Sequence, residues 1–304
     1  MTAFPGPRKA TGMGLAQNIT IPAGTAEKPA PDALSSLLAL GRPLVMGILN
    51  ITPDSFSDGG QFIDPATALA HAGAMAKQGA DILDIGAEST RPYGGAQPVA
   101  VDDEIARLAP VLPAAVKLGL PVSIDTIKAS VAAWALDRGA TIVNDVWGLQ
   151  RDPEMAKLVA TRGAPVIVMH NRETIDDSLD MIADVVAFFS RSLEIANRAG
   201  IAREKIVLDP GIGFGKTPEQ SIACIARLSN FRRFGLPLLV GASRKRFINS
   251  VTPSAPDDRI GGSIASHLLA VENGATIVRV HDVKETVQAL RVAASIGSAK
   301  ENEK

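Results

Sequence analysis

Asn50, Asp125, Asn144, Asp209, Ser243, Arg279 and His281 each stand at or near the end of a short apolar run in a chain of 304 residues. Their side chains divide into two chemical sets. Asp125, Asn144 and Asp209 supply acceptors and one amide, which suits a flat heterocycle bearing several N–H donors. A single Asp or Asn after a strand serves equally well as a helix cap; three on neighbouring strands favour a ligand. Arg279 and His281, with Arg91 and Lys245, form a cationic or potentially cationic set suited to phosphate. Arg279 interrupts the run Val278-Arg279-Val280. An unpaired guanidinium is costly to bury there, which points to function.

The elements that would hold these residues repeat. Gly79, Gly119, Gly139, Gly163, Gly200, Gly235 and Gly274 each close a helix-like stretch and precede an apolar run. A helix-ending glycine followed by a buried strand is the second half of a βα unit. With the run from Leu44 to Asn50 this makes eight units, the pattern of a (β/α)₈ TIM barrel, whose chemistry sits at the C-terminal strand ends. Strands are expected at 44–49, 81–86, 121–125, 141–145, 164–169, 205–209, 237–241 and 275–280. Helices are expected at 65–78, 102–118, 128–138, 153–161, 179–199, 218–229, 258–273 and 283–295. Asp64-Pro65 and Asp152-Pro153 pair an N-cap with proline at the first helical position, and Thr217 to Gln220 reads as a capping box. The connections 50–64 and 87–101 are long and rich in Gly, Pro, Ser, Asp and Thr, as loops over an active site are.

Composition narrows the rest. The chain is 46% hydrophobic with 4% aromatics, which suits a core of Val, Ile, Leu and Ala. The formal charge is −1 and no basic cluster stands out, so a nucleic-acid partner is not expected. The one cysteine, Cys224, excludes an internal disulfide and a cysteine-rich zinc site. No apolar run reaches a membrane span and the first residues lack the apolar core of a signal peptide, so a cytoplasmic protein is expected despite the sequon Asn18-Ile19-Thr20. The expected organisation is a flexible tail over 1–31, a barrel over 32–298 with a short helix from Asp32 to Leu40 under its floor, and a tail over 299–304. Gly211 to Thr217 is similar to a phosphate-binding loop, but Pro210 replaces its first glycine and Pro218 follows at once, so nucleotide binding there is not expected.

Several segments together resemble dihydropteroate synthases. They are Asn50-Ile-Thr-Pro-Asp-Ser-Phe-Ser-Asp-Gly-Gly60, Asp84-Ile-Gly-Ala-Glu-Ser-Thr-Arg-Pro92, Ser123-Ile-Asp125, Asn144-Asp145, Leu208-Asp-Pro-Gly-Ile-Gly-Phe-Gly-Lys216, Ser243-Arg-Lys245 and Arg279-Val-His281. They occur in family order. The resemblance implies a pterin-binding barrel enzyme of folate synthesis, a sulfonamide target that joins 6-hydroxymethyl-7,8-dihydropterin diphosphate to 4-aminobenzoate. It implies a pterin pocket at Asp125, Asn144, Asp209 and Lys245, and a diphosphate site at Asn50, Arg91, Arg279 and His281. Mg²⁺ would touch the Asn50 side chain. A 4-aminobenzoate site follows at Phe56, Thr90 and Pro92, with Phe214 and Ser243 nearby, and a homodimer is implied. Catalysis then falls to Asn50, Arg91, Lys245, Arg279 and His281. The chain departs from the family's pattern at Asn171 and Glu173, where a methionine and a glycine are common, and at Tyr93, where a glycine is usual. Two other readings share the pterin pocket: a methyltetrahydrofolate-dependent methyltransferase and a non-catalytic pterin-binding paralogue. The diphosphate residues and the two long loops weigh against both.

Overall fold

Eight parallel strands, β1 (Leu44–Asn50), β2 (Ile82–Gly86), β3 (Val122–Asp125), β4 (Ile142–Asp145), β5 (Val166–Met169), β6 (Ile206–Asp209), β7 (Leu239–Val240) and β8 (Ile277–Val280), make up the core of the molecule. The computed structural model describes residues 32–51, 64–89 and 98–301. The strand order is β6-β5-β4-β3-β2-β1-β8-β7, and a bridge between Leu208 and Leu238 joins the two ends, completing the barrel. β7 is shorter than expected because Pro237 has no N–H to give. Its carbonyl instead accepts from Leu208 at 3.0 Å.

The helices are α1 (Ala33–Leu38), α2 (Pro65–Gln78), α3 (Val101–Leu108), α4 (Leu112–Val116), α5 (Ala129–Leu136), α6 (Pro153–Arg162), α7 (Met181–Ala199), α8 (Pro218–Ala226), α9 (Arg246–Val251), α10 (Ile260–Glu272) and α11 (Val283–Glu301). Local sequence explains the starts: Asp64, Asp152 and Asp180 cap α2, α6 and α7, and Thr217 with Gln220 closes a capping box on α8. Gly79, Gly163 and Gly200 end three helices in the left-handed conformation.

Four helix expectations are corrected. The single helix expected at 102–118 is two, α3 and α4, because neither Pro110 nor Pro113 has an N–H for the helical ladder. The stretch after Ala226 changes to a 3₁₀ helix, Leu228–Phe234. α9 was not expected at all. The last helix continues past Ser295 to Glu301.

Side chains alternate across the strands, and this splits the core in two. Val45, Leu83, Val143 and Val278 face the surrounding helices. Leu44, Met46, Ile82, Ile142, Ile167, Val207, Leu239 and Ile277 form a second cluster, and Leu34 of α1 packs into it. α1 therefore seals the floor of the barrel, as its position in the chain led us to expect. The polar strand ends are left at the opposite end.

Candidate active site

At the upper end of the barrel the register sets Gly86, Asp125 and Asn144 side by side on β2, β3 and β4. A β-carbon on Gly86 would lie 3.3 Å from that of Asp125, so the glycine leaves room for this carboxylate. Two residues below Gly86, the fully buried Asp84 connects the site. Its Oδ2 accepts from Asn144 Nδ2 at 3.1 Å and from Arg279 Nε at 2.5 Å. Arg279 Nη2 also donates to Asp125 Oδ2 at 2.8 Å. With its amide nitrogen committed to Asp84, Asn144 offers its oxygen to a ligand. Asp84 Oδ1, Asp125 Oδ1 and Asn144 Oδ1 are all buried without a partner. Acceptors in that condition each cost about 1–3 kcal/mol, and a ligand rich in N–H donors would relieve the cost.

Asp209, at the end of β6, turns one oxygen to its own loop and accepts from Gly211 N at 2.8 Å. Burial pushes its carboxyl up to about 6, against the opposing pull of the Gly211 N–H and the nearby Lys245 and Arg279. Burial also raises the Asp125 carboxyl, to about 7, even though Arg279 is its partner. Neither Asp125 nor Asn144 caps a helix.

The cationic side differs in part from expectation. Arg279 is not left unpaired in its apolar strand. Its side chain is 17% exposed and wedged between Asp84 and Asp125. His281 was grouped with the cations. Burial and the nearby guanidinium groups of Arg279 and Arg244 push its imidazole down to about 3, so in the free protein it is a neutral hydrogen-bonding group. Ser243 Oγ lies 3.0 Å from His281 Nδ1 and accepts from His281 N at 3.2 Å. Lys245 Nζ stands 4.2 Å from the centre of the Phe214 ring, which brings a residue expected at the pterin beside one expected at 4-aminobenzoate. Asn50 ends β1, partly exposed, with no side-chain hydrogen bond among the described residues. Phe56, Thr90, Arg91, Pro92 and Tyr93 lie outside the described residues.

Lys216 settles the status of the glycine-rich loop. It is buried, donates to the carbonyls of Gly211 (2.9 Å) and Phe214 (3.0 Å), and meets His170 Nδ1 at 2.7 Å. A lysine tied to its own loop is not the phosphate-seeking lysine of a nucleotide site. A separate cavity of about 360 Å³, lined by Trp147, His170, Arg172, Asp184 and Phe188 among others, contains none of the expected site residues.

Asp84 is the functional residue that sequence reasoning missed. A signal was present, since Ile82-Leu83-Asp84-Ile85 buries an acid inside an apolar strand just as β8 buries Arg279. His267 is buried, and its Nε2 accepts from Ala242 N at 3.2 Å, supporting the turn after β7.

Fold and site together define a (β/α)₈ enzyme with an acceptor-rich arc beside an anion-directed one. The chain belongs to the family described as pterin binding enzyme, whose model matches residues 46–281, and within it to the dihydropteroate synthases. It is 46% identical over 252 residues to the dihydropteroate synthase of Bacillus subtilis, spanning 83% of this chain and 87% of the relative. A Clostridium difficile dihydropteroate synthase solved in the presence of pteroic acid superposes with a TM-score of 0.79 at 47% identity, covering 84% of this chain and 97% of that one. The Xanthomonas albilineans enzyme with 4-aminobenzoic acid gives 0.80 at 43% identity, covering 85% and 94%.

Proposed function

We propose that the two arcs of the mouth divide the work of a dihydropteroate synthase, the condensation of 6-hydroxymethyl-7,8-dihydropterin diphosphate with 4-aminobenzoate to 7,8-dihydropteroate and diphosphate. The observation that carries this reading is the set of three unpartnered acceptor oxygens beside a guanidinium. Asp125, Asn144, Asp209 and Lys245 hold the pterin ring. Asn50, Arg91, Arg279 and His281 hold the diphosphate. Phe56, Thr90 and Pro92, with Phe214 and Ser243, take 4-aminobenzoate, which is also where a sulfonamide would compete.

Charge development dictates the mechanism. The methylene C–O bond breaks with its electron pair going to diphosphate, and the electron-rich dihydropterin ring stabilises the cation left behind. Arg91 and Arg279 meet the charge growing on the leaving group, and His281 donates a hydrogen bond to it. The arylamine nitrogen then forms the new C–N bond and gives up a proton. An arylamine is neutral and nucleophilic at pH 7, so no strong base is needed. The donor set fits Mg²⁺, because Asn50, at the end of β1, offers a hard amide oxygen with no hydrogen-bond partner among the described residues, and Mg²⁺ is commonly held by one or two protein oxygens with substrate phosphate and water. Bound between Asn50 and the substrate, the ion would add Lewis-acid stabilisation of the diphosphate oxygens.

A homodimer is supported by the exposed Ile222, Val251 and Leu269 on α8, α9 and α10. No described helix is long and apolar enough to cross a membrane, and we place the enzyme in the cytoplasm. The test is diphosphate release from the pterin substrate. It should require 4-aminobenzoate, yield dihydropteroate in equal amount, and cease with EDTA. Release without 4-aminobenzoate would refute the synthase chemistry.

A further inference from the structure

The turn after β7 holds a backbone conformation that the chemistry above leaves unused. Arg244 has φ +58°, one of two non-glycine residues with positive φ among the described residues. It sits between Ser243 and Lys245. A residue with a β-carbon is strained in that region and persists there only when its surroundings hold it. Here they do. Its N–H donates to Ser263 Oγ at 2.9 Å, and its carbonyl accepts from Arg259 Nη1 at 3.0 Å. Its guanidinium donates through Nε and Nη2 to the two oxygens of Asp282, at 3.1 and 2.6 Å, and through Nη1 to Asp257.

The partners differ in weight. Asp257 is exposed, and a surface ion pair of that kind contributes little. Asp282 is 12% exposed and takes both arms of the guanidinium fork, which adds geometric specificity. It also directly follows His281, whose backbone N–H and imidazole both meet Ser243. Two ties therefore join the end of β7 to the end of β8: Ser243 to His281, and Arg244 to Asp282. The left-handed residue turns the chain between β7 and α9, leaving Ser243 and Lys245 on either side of the bend.

We propose that Arg244 is a positioning residue for the reaction: clamped by Asp282, it holds the bend that sets Ser243, Lys245 and His281 at their working distances. The proposal rests on the reading that those three residues touch the substrates. An ordinary structural ion pair would need no left-handed backbone and would affect activity only through the folded fraction.

Glycine separates the two contributions, because it adopts φ +58° without strain but carries no guanidinium. Arg244→Gly should keep its melting temperature within a few degrees of wild type while kcat/KM falls about tenfold or more, with KM for 4-aminobenzoate raised. Asp282→Asn should give the same phenotype, and the double variant should be no worse than either single one. Arg244→Lys should recover part of the loss. Full activity in Arg244→Gly, or independent multiplying losses in the double variant, would overturn the clamp. Lys245→Ala serves as the control for the underlying reading. If it is fully active, Lys245 does not touch substrate, and the site assignment falls together with the clamp. If it is inactive while Arg244→Gly is normal, the clamp alone is wrong.

Discussion

Asp209 gives the ring-binding claim its simplest test. A pterin N–H needs an acceptor, and the carboxyl, raised to about 6 by burial, becomes a donor once protonated. Affinity for free pterin should therefore fall as pH drops, first below about 7 as Asp125 takes up a proton and further below about 6 with Asp209, by up to about tenfold per unit for each proton. Asp209→Asn, which can turn its amide donor toward the ring, should lose about 1–3 kcal/mol of pterin affinity. It should also show a shallower pH profile, the remainder coming from Asp125. Unchanged affinity by calorimetry would remove Asp209 from the pocket. Arg279 makes a different prediction. Because it separates two buried carboxylates, Arg279→Ala should cost about 3–5 kcal/mol of stability by leaving Asp84 and Asp125 uncompensated. A melting temperature equal to wild type would show that the pair is solvated. At this scale the sequence was readable where a polar residue closes an apolar run, as at Asp125, Asn144 and Asp209. Asp84 also interrupts an apolar run, but its role was not readable, because its contact with Arg279 spans 195 positions and exists only once the barrel closes.

The glycine-rich connection after β6 shows what one element requires of its backbone. Gly211 has φ +64°, and a β-carbon there would lie 2.0 Å from the His170 carbonyl oxygen. Gly211→Ala should destabilise by at least about 2 kcal/mol through strain and clash together and displace the loop that carries Phe214. Urea denaturation would measure the first effect, and a wild-type curve would mean the loop can shift freely. α1 offers the complementary case. Leu34 is 2% exposed in the floor cluster, so Leu34→Ala should cost about 2–4 kcal/mol, with pterin affinity unchanged because the mouth is at the other end. Element boundaries were legible where a cap or a left-handed glycine marks them, as in α2, α6 and α7. α9 had no such mark: it is six residues long and has no side-chain cap. The break between α3 and α4 was marked by Pro110 and Pro113.

Across the whole molecule, strand order converts a one-dimensional list of residues into two facing arcs. Asp125, Asn144 and Asp209 lie on β3, β4 and β6, with Lys245 of the ring set after β7, while Asn50, Arg279 and His281 lie on or just after β1 and β8, with β2 between β3 and β1. Eight repeated βα units made the barrel legible, and the rule of C-terminal strand ends located the mouth. What the repeat does not encode is how the arcs touch. Arg279 leans from β8 across to Asp84 and Asp125, so the leaving-group side and the ring side share one buried charge cluster. The division of labour between the arcs is best tested by calorimetry on Arg279→Lys, which keeps the charge that compensates the two aspartates but loses the guanidinium fork. Binding of the pterin diphosphate should weaken at least about tenfold, the loss of a charge-assisted contact, while binding of free pterin should stay within about twofold of wild type. Equal losses for both ligands would mean that Arg279 serves the ring or the barrel, and the two-arc account would be contradicted.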